Sequence, residues 1–413
     1  MNRTYRILFA SPYCLLDTTS GAAIAMRELL SQLTQRGFSC EAVTASIFDP
    51  PRQVFLGEVF TRHDATVMAH GLSPENVPFV KVSSLGLSHT ILKTARSQRQ
   101  ALVPREEAAL LSLVEQEIDE FKPSLLLTYG GLTVERAIHR LAHRYGIPVV
   151  FFLANPLYKK AETFSEVDLV LVPSNSLSEF YKRRLGLQSQ VLRDIIPFDR
   201  YRANHQNPRF ITYINPGLAK GLTFFARLVG EALRKLPQAE FLVVEARWTQ
   251  ADIARAGFKL HRIPNVKVMA NQTDMRVVYG QTRVLLFPSF GHEASGRSII
   301  EAQLNGIPIL ASQQGGIPEN LNGGGFLLKI PDRCVRNFKA IPTSEEVQPW
   351  IDQLRVLLED KEAYDEAQRR ALKAVEDFRP EKIVQTAIDL FQDLFAKYQC
   401  HRTSEAKRLH QIQ

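Results

Sequence analysis

Short continuous apolar runs alternate with stretches in which apolar residues recur every three or four positions, and the alternation holds along most of the chain. Residues 6–11 are a run of the first kind. From 19 to 36, Ile24, Met26, Leu29, Leu30 and Leu33 then fall at helical spacing, Gly37 stops the helix, and 40–44 is a second run. A strand covered on both faces shows no polar alternation, whereas a helix with one buried face keeps a period near 3.6. The pattern therefore predicts a βαβ unit. A similar unit covers 124–150, a strand at 168–172 leads into a helix over 177–185, and a further helix occupies 104–121. Residues 51–101 fit poorly and read as an insertion or an irregular face. A polar, proline-bearing stretch at 197–208 marks a boundary. Beyond it the alternation restarts: strand 209–215, helix 223–236, strands 240–245 and 266–270, helix 275–281, strand 284–287. Two amphipathic helices, 345–378 and 380–398, close the chain.

The pattern predicts an α/β protein of two doubly wound, Rossmann-like halves. The division expected is an N-terminal domain over 1–197, on which a helix at about 381–400 can pack back, a second domain over 198–380, and a frayed polar tail at 401–413. Open parallel sheets bind ligands beyond the carboxyl ends of their strands, so two such halves would share a cleft there.

Composition narrows the classes. At 413 residues with 45% hydrophobic content the chain can bury large cores. Its formal charge of +8 is scattered, with 22 basic against 20 acidic residues to position 200 and 29 against 23 beyond. That excess suits an anionic ligand or a headgroup surface better than nucleic acid, for which no basic and aromatic module is present. The four cysteines, Cys14, Cys40, Cys334 and Cys400, form no CxxC pair or Cys/His cluster and indicate neither zinc nor a disulfide scaffold. The N-terminal apolar run is short, interrupted by Pro12, and reads as a first strand rather than a signal peptide. No apolar stretch approaches the ~20 residues of a membrane span. The expected location is the cytoplasm, with peripheral contact to the inner membrane face allowed.

The densest chemistry lies in FPSFGHEASGRSIIEAQLNGIPILASQQGG, residues 287–316. Glu293 and Glu301 frame a small-residue turn, Ala294 to Ser298, that opens a helix carrying Ile299, Ile300, Ala302 and Leu304; Gly306 and Pro308 stop it. The first turn of such a helix offers unsatisfied N–H groups and the positive end of its dipole to an anion, and Gly296 lets a ligand approach the backbone. Carboxylates accept hydrogen bonds from sugar hydroxyls while amides hold phosphate oxygens, so the combination suits a nucleotide sugar. Taken alone the pair has a plainer alternative, with Glu301 compensating a helix dipole and Glu293 solvated in a loop.

The chain resembles glycosyltransferase family 4, with its two-domain GT-B fold, over nearly its whole length. The most specific match is the Glu-x7-Glu motif at Glu293 and Glu301 within PSFGHEASGRSIIEAQLNGIPILASQQGGIPE. Ordered matches flank it in SGAAIAMRELLSQLTQRGFSCEAVT, in Lys220 and Gly221, and in NVKVMANQTDMRVVYGQTRVLLFPS. The resemblance implies a retaining transfer of a sugar from a UDP- or GDP-linked donor to a glycan, lipid-linked or small-molecule acceptor, with no metal or other cofactor. No Asp-x-Asp metal motif is present in the relevant loops. The resemblance makes Glu293 and Lys220 the catalytic candidates: Glu293 near the reacting carbon, Lys220 on the diphosphate. Donor binding falls to Gly21, Asn215, Lys220, Ser295, Gly296, Arg297, Ser298 and Glu301, with Glu301 on the ribose hydroxyls. Several of these have local alternatives: Lys220 a surface lysine, Gly21 a simple turn before a helix, Arg297 a solvated side chain. Glu319 and Asp274 read as helix-capping or dipole-compensating residues.

Two positions depart from the family pattern. Asn215, in INPGLAK, stands where many members carry an arginine, which makes Arg297 a substitute candidate for the diphosphate. Asn155, in LANPLYKK, stands where a histidine near the reacting sugar is common. His139 and His143 lie on a predicted helix with partly exposed roles, and His292 adjoins Glu293. These departures keep open a catalytically weakened homologue serving as partner or scaffold in glycan assembly, alongside other GT-B chemistry such as phosphorolysis or epimerisation. A dehydrogenase is disfavoured, since no GxGxxG follows the first strand. Lys93, Arg96, Arg99 and Arg105 form a candidate basic face for an anionic acceptor or a membrane surface, with a solvated face as the plain alternative.

Overall fold

The computed structural model describes residues 5–99, 102–131 and 133–410, with side chains through Tyr398. The chain divides into two compact units: residues 1–172, 178–192 and 381–413 make the first, and 173–177 with 193–380 the second. Each is built on one sheet.

The first unit holds a nine-stranded sheet. Its parallel part runs Ser39–Ile47, Arg6–Tyr13, Leu125–Thr128, Val149–Phe152, Leu169–Val172 and Gln190–Val191 from one side to the other. Ile7, Leu8 and Phe9 pair with Leu125, Leu126 and Leu127, and all six are fully buried, which is why these strands read as unbroken apolar runs. Helices Gly21–Thr34, Pro104–Phe121 and Thr133–Arg144 supply the crossovers.

The segment 51–101, expected as an insertion or an irregular face, adds helix Leu56–Arg62 and an antiparallel meander, Thr66–Leu72, Pro78–Ser84 and Leu87–Leu92. The last of these joins Ser39–Ile47 in parallel and so extends the same sheet. Its tight turn is Leu85-Gly86, both at positive φ (53° and 75°), a conformation usually announced by Asn-Gly or Asp-Gly. Leucine at that position hides the hairpin from sequence inspection. Thr66–Leu72 lies at the sheet edge, mostly exposed.

The second unit holds a six-stranded, all-parallel sheet in the order Val266–Met269, Phe241–Val244, Phe210–Ile214, Thr282–Phe287, Ile309–Ala311, Phe326–Leu327. Helix Leu222–Lys235 and helix Ser344–Glu359 pack on it around Phe224, Phe225, Phe241 and Trp350, all fully buried. The helix expected over 345–378 is two, Ser344–Glu359 and Lys361–Ala374. Asp360 lies between them in extended conformation, its side chain accepting from the Ala363 amide to start the second. The polar stretch 197–208 belongs inside this unit: Ala203 and Gln206 donate to Asn305, and Asn305 donates to the Tyr201 carbonyl. The chain changes units at Leu192/Arg193 instead, earlier than the residue 197 boundary, because these local hydrogen bonds outweigh the stretch's polar composition.

The closing helix Pro380–His410 returns the chain to the first unit, where the Tyr5 and Phe395 rings stack at 4.6 Å. The backbone of the expected frayed tail is helical through His410; Glu405, Ala406, Lys407 and Arg408 are good helix formers, which outweighs their polarity. Among the described residues, no helix is long and apolar enough to cross a membrane.

Several surface expectations change. Arg99 pairs with Asp49 at 2.5 Å and lies over the Tyr13 ring, and Arg105 donates to the Glu75 and Asn76 carbonyls, so two of the four cations of the candidate basic face are engaged within the fold. His139 is 1% exposed, where a partly exposed role was expected; its ring meets the edge of Phe151 and burial lowers its pKa to about 4. His143 is held by Asp168 (2.9 Å) and Glu166 (3.4 Å). The Asn155 side chain accepts from the Leu157 amide and shapes its own loop.

Candidate functional site

Two adjacent parallel strands of the second unit, Phe210–Ile214 and Thr282–Phe287, end in the loops that carry Lys220 and Glu293. After the first strand Asn215 takes a left-handed conformation (φ 59°), which asparagine tolerates better than arginine. The departure from the family pattern thus coincides with a backbone demand. A 3₁₀ turn over Leu218–Lys220 follows, and Gly221, at φ 85°, opens helix Leu222–Lys235. A Cβ on Gly221 would stand 2.0 Å from the Pro288 carbonyl oxygen, so only glycine lets the two loops meet. The amides of Phe290 and Gly291 both donate to the Ala219 carbonyl at 2.9 Å and complete the seam.

Across that seam the Lys220 ammonium donates to Glu293 Oε2 at 2.5 Å, and the Ser289 hydroxyl donates to the same oxygen at 3.2 Å. Lys220 also lies 5.8 Å from the Phe287 ring centroid. The Lys220 and Glu293 side chains are 32% and 14% exposed, so solvent, or a ligand, reaches the pair. The backbone of Glu293 is fixed from behind: the Gly316 amide donates to its carbonyl at 2.7 Å, and Gly315 (φ 58°) presses so close that a Cβ would lie 2.2 Å from that oxygen. Ser312 donates to the Ser289 carbonyl at 2.7 Å.

From Gly296, at φ 93°, the chain turns into helix Arg297–Leu304. The amides of Arg297 and Ser298 open this helix and have no intrahelical acceptor, while Ile299 already bonds back to the Gly296 carbonyl. Gly296 itself lies against Glu293: a Cβ there would stand 3.6 Å from the Glu293 Cγ.

The side chains of that turn point elsewhere. The Ser295 hydroxyl, offered by the sequence to a donor, donates to buried Asp194 at 2.5 Å and receives the Asn320 amide at 2.8 Å. Arg297, offered to the diphosphate, is turned inward: it donates to the Ile195 carbonyl and the Tyr201 hydroxyl, both at 3.2 Å, and lies 3.9 Å from Asp194 and 3.5 Å from Glu301. Two buried carboxylates require a cation, and Arg297 is placed to serve both. Burial pushes the Asp194 carboxyl up from its ordinary pKa, against the pull of Arg297 and the Ser295 hydroxyl.

Glu301, expected on ribose hydroxyls, is 6% exposed; its Oε2 accepts the Tyr279 hydroxyl at 2.5 Å. Burial and the Glu301 charge hold the Tyr279 phenol well above its usual pKa, so it stays a donor. The motif's two carboxylates therefore meet different partners, one a reachable lysine, the other an internal network. Sequence inspection missed Asp194, Tyr201, Tyr279 and Asn320. Asp194 lies 101 positions before Ser295, and no local pattern signals such a contact.

Glu319 caps a helix other than its own, its carboxylate accepting from the amides of Asn175 (2.8 Å) and Ser176 (2.6 Å). Asp274 caps the short helix Arg276–Tyr279 through the Arg276 amide at 3.0 Å. In the first unit Gly21 begins helix Gly21–Thr34, and the space a Cβ would occupy there is open.

The two Rossmann-like parts have the architecture of GT-B glycosyltransferases. The chain is similar to a glycosyltransferase from Rickettsia africae (TM-score 0.64, 16% identity, 95% of this chain and 99% of that chain covered). It is similar also to sucrose-phosphate synthase from Thermosynechococcus elongatus (TM-score 0.67, 16% identity, 95% and 100% covered). HepE from Anabaena, in complex with UDP and glucose, gives a TM-score of 0.64 at 16% identity with 94% and 100% covered. Residues 210–359, which contain Lys220, Glu293 and Glu301, match the family model described as glycosyl transferases group 1. No curated protein matches the sequence.

Proposed function

We propose that the protein is a retaining glycosyltransferase that moves a hexosyl group from a UDP- or GDP-linked donor to a glycan, lipid-linked or small-molecule acceptor, without a metal. The observation that carries this reading is the Lys220–Glu293 pair beside the first-turn amides of Arg297 and Ser298, within the segment that matches the group 1 family model. The similarity to HepE, whose complex holds UDP and glucose, agrees with it.

In this reading the bond between the anomeric carbon and the diphosphate oxygen breaks with its electron pair leaving on the phosphate. The enzyme's main task is to hold fixed positive potential where that charge grows. Lys220 and the two amides supply it. An ion pair that solvent reaches is worth on the order of 1 kcal/mol, so an incoming diphosphate can draw Lys220 from Glu293 at small cost. Glu293 then faces the anomeric carbon and stabilises the positive charge developing there, while the acceptor hydroxyl forms the new bond and its proton passes to the departing phosphate. The inward-facing network of Asp194, Arg297, Glu301 and Tyr279 holds the turn rigid, and the remaining lone pairs of Glu301 are its means of meeting ribose hydroxyls. A cytoplasmic location follows from the nucleotide-sugar supply.

The test is a thermal-shift and titration screen of UDP- and GDP-sugars, followed by donor hydrolysis. A binding donor should slowly release its nucleoside diphosphate in the presence of EDTA. Glu293→Gln should abolish release while keeping affinity within a fewfold, and Lys220→Ala should weaken affinity by about tenfold or more, one charge-assisted contact's worth. Failure of every nucleotide sugar to bind overturns the reading in favour of a non-catalytic homologue.

A further inference from the structure

In the first unit, two loops that follow the adjacent parallel strands Leu125–Thr128 and Val149–Phe152 border an open basin of about 580 Å³. Arg136, Lys159 and Lys160 line it together with the Thr133 and Thr163 hydroxyls and a lone carboxylate, Glu162. Among the described residues, none of the three cationic side chains has an ion pair or a hydrogen bond. Glu162 lies outside ion-pair reach of them. The fold elsewhere engages its arginines closely, as Arg99 and Arg297 show.

The two loops are fastened to one another. Tyr158, immediately before the lysines, donates its hydroxyl to the Gly130 carbonyl at 2.7 Å, and its ring lies where a Cβ on Gly131 would be 2.8 Å away. The Tyr158 amide donates to the Tyr181 hydroxyl, which donates to the Asn155 carbonyl at 2.7 Å. Phe151 and Phe164 pack edge-on behind it at 5.2 Å. Three like charges are thus brought together on a preorganised support, and among the described residues no carboxylate stands within ion-pair distance of them. Such an arrangement is stabilised when a multivalent anion binds, and the carboxyl ends of parallel strands are where α/β sheets take ligands.

We propose that this basin binds a phosphoryl group carried by the acceptor. Lys159 and Lys160 act as point charges, Arg136 as a fork, and the Thr133 and Thr163 hydroxyls as neutral donors. Only the word acceptor rests on the transferase reading; the anion site stands on the basin itself. It replaces the loose basic face suggested by Lys93, Arg96, Arg99 and Arg105, two of whose members are engaged within the fold.

The experiment uses the full chain in a Lys220→Ala background, which removes the phosphate-binding lysine of the second unit. Inorganic phosphate and a sugar phosphate are titrated against it, and sedimentation with phosphatidylcholine vesicles containing phosphatidylglycerol is measured in parallel. Joint substitution of Arg136→Gln, Lys159→Gln and Lys160→Gln should lower phosphate affinity at least about tenfold. Because these side chains are exposed and mutually repelling, Tm should hold or rise. Loss of free-phosphate binding assigns a soluble phosphorylated acceptor, and loss of vesicle binding alone assigns a lipid headgroup; either supports the site. Unchanged binding of both by the triple variant overturns it. Nucleotide-sugar binding, measured on the triple variant with Lys220 intact, is a separate readout: its persistence shows that the donor reading stands whatever becomes of the basin.

Discussion

The guanidinium of Arg297 sits 3.9 Å from Asp194 and 3.5 Å from Glu301, with its side chain only 10% exposed. From sequence it is an arginine between the two motif glutamates, as well suited to a diphosphate as to solvent. The fold decides for the carboxylates, because an unpartnered buried charge costs several kcal/mol and two such charges lie within reach. Arg297→Leu should therefore destabilise the protein by about 3–5 kcal/mol, read as a large fall in Tm or denaturant midpoint. Lys220→Ala, at a partly exposed pair, should change stability by no more than ~1 kcal/mol. Were Arg297 a diphosphate ligand instead, its loss would weaken donor affinity and leave Tm nearly unchanged.

Among the elements, the strand-to-loop junctions of the second unit do the positioning, and they depend on glycines at positive φ. Gly315 is the sharpest case, with a prospective Cβ 2.2 Å from the Glu293 carbonyl oxygen. Gly315→Ala should displace the Glu293 backbone and slow donor hydrolysis at least about tenfold, with the far-ultraviolet circular dichroism unchanged. Retained hydrolysis would show that the seam is not what positions Glu293. At this scale the chain was readable where its pattern was periodic. Apolar runs gave the parallel strands, and helical spacing with Gly37 gave the first crossover helix. The hairpin at Leu85-Gly86 was not readable, because its turn uses leucine where the signature expects asparagine or aspartate. The break at Asp360 was missed because apolar spacing continues across it.

For the molecule as a whole, buried titratable groups set a pH window for stability. Burial holds His63 and His139 at pKa values of about 4 and His89 at about 3. Below about pH 6.5 the unfolded chain takes up protons that the folded chain refuses, so stability is lost as pH falls from about 6.5 toward 4. Glu41 acts in the opposite sense. Burial, a hydrogen bond with Glu117 and the charge of that neighbour raise it to about 8. Between about 4.5 and 8 the unfolded carboxyl is ionised while the folded one keeps its proton, so stability falls as pH rises through that range. A Tm profile from pH 4 to 9 should show Glu41→Gln flattening the alkaline decline and His139→Phe reducing the acid slope. Parallel profiles for parent and variants would exclude these groups as the cause.

What the sequence determined by itself was whatever depends on near neighbours: the α/β alternation, the helix that begins beside Glu293, and the spacing of the two motif carboxylates. Those follow from periodicity and backbone preference, which act over a few residues. Tertiary structure alone decided which way each polar side chain of the motif faces. Asp194 reaches Ser295 across 101 positions, Tyr279 takes Glu301, and Lys220 reaches Glu293 across 73. Such pairings are fixed by sheet order and by the cost of leaving a buried charge unpaired, and neither is written in any short stretch of chain.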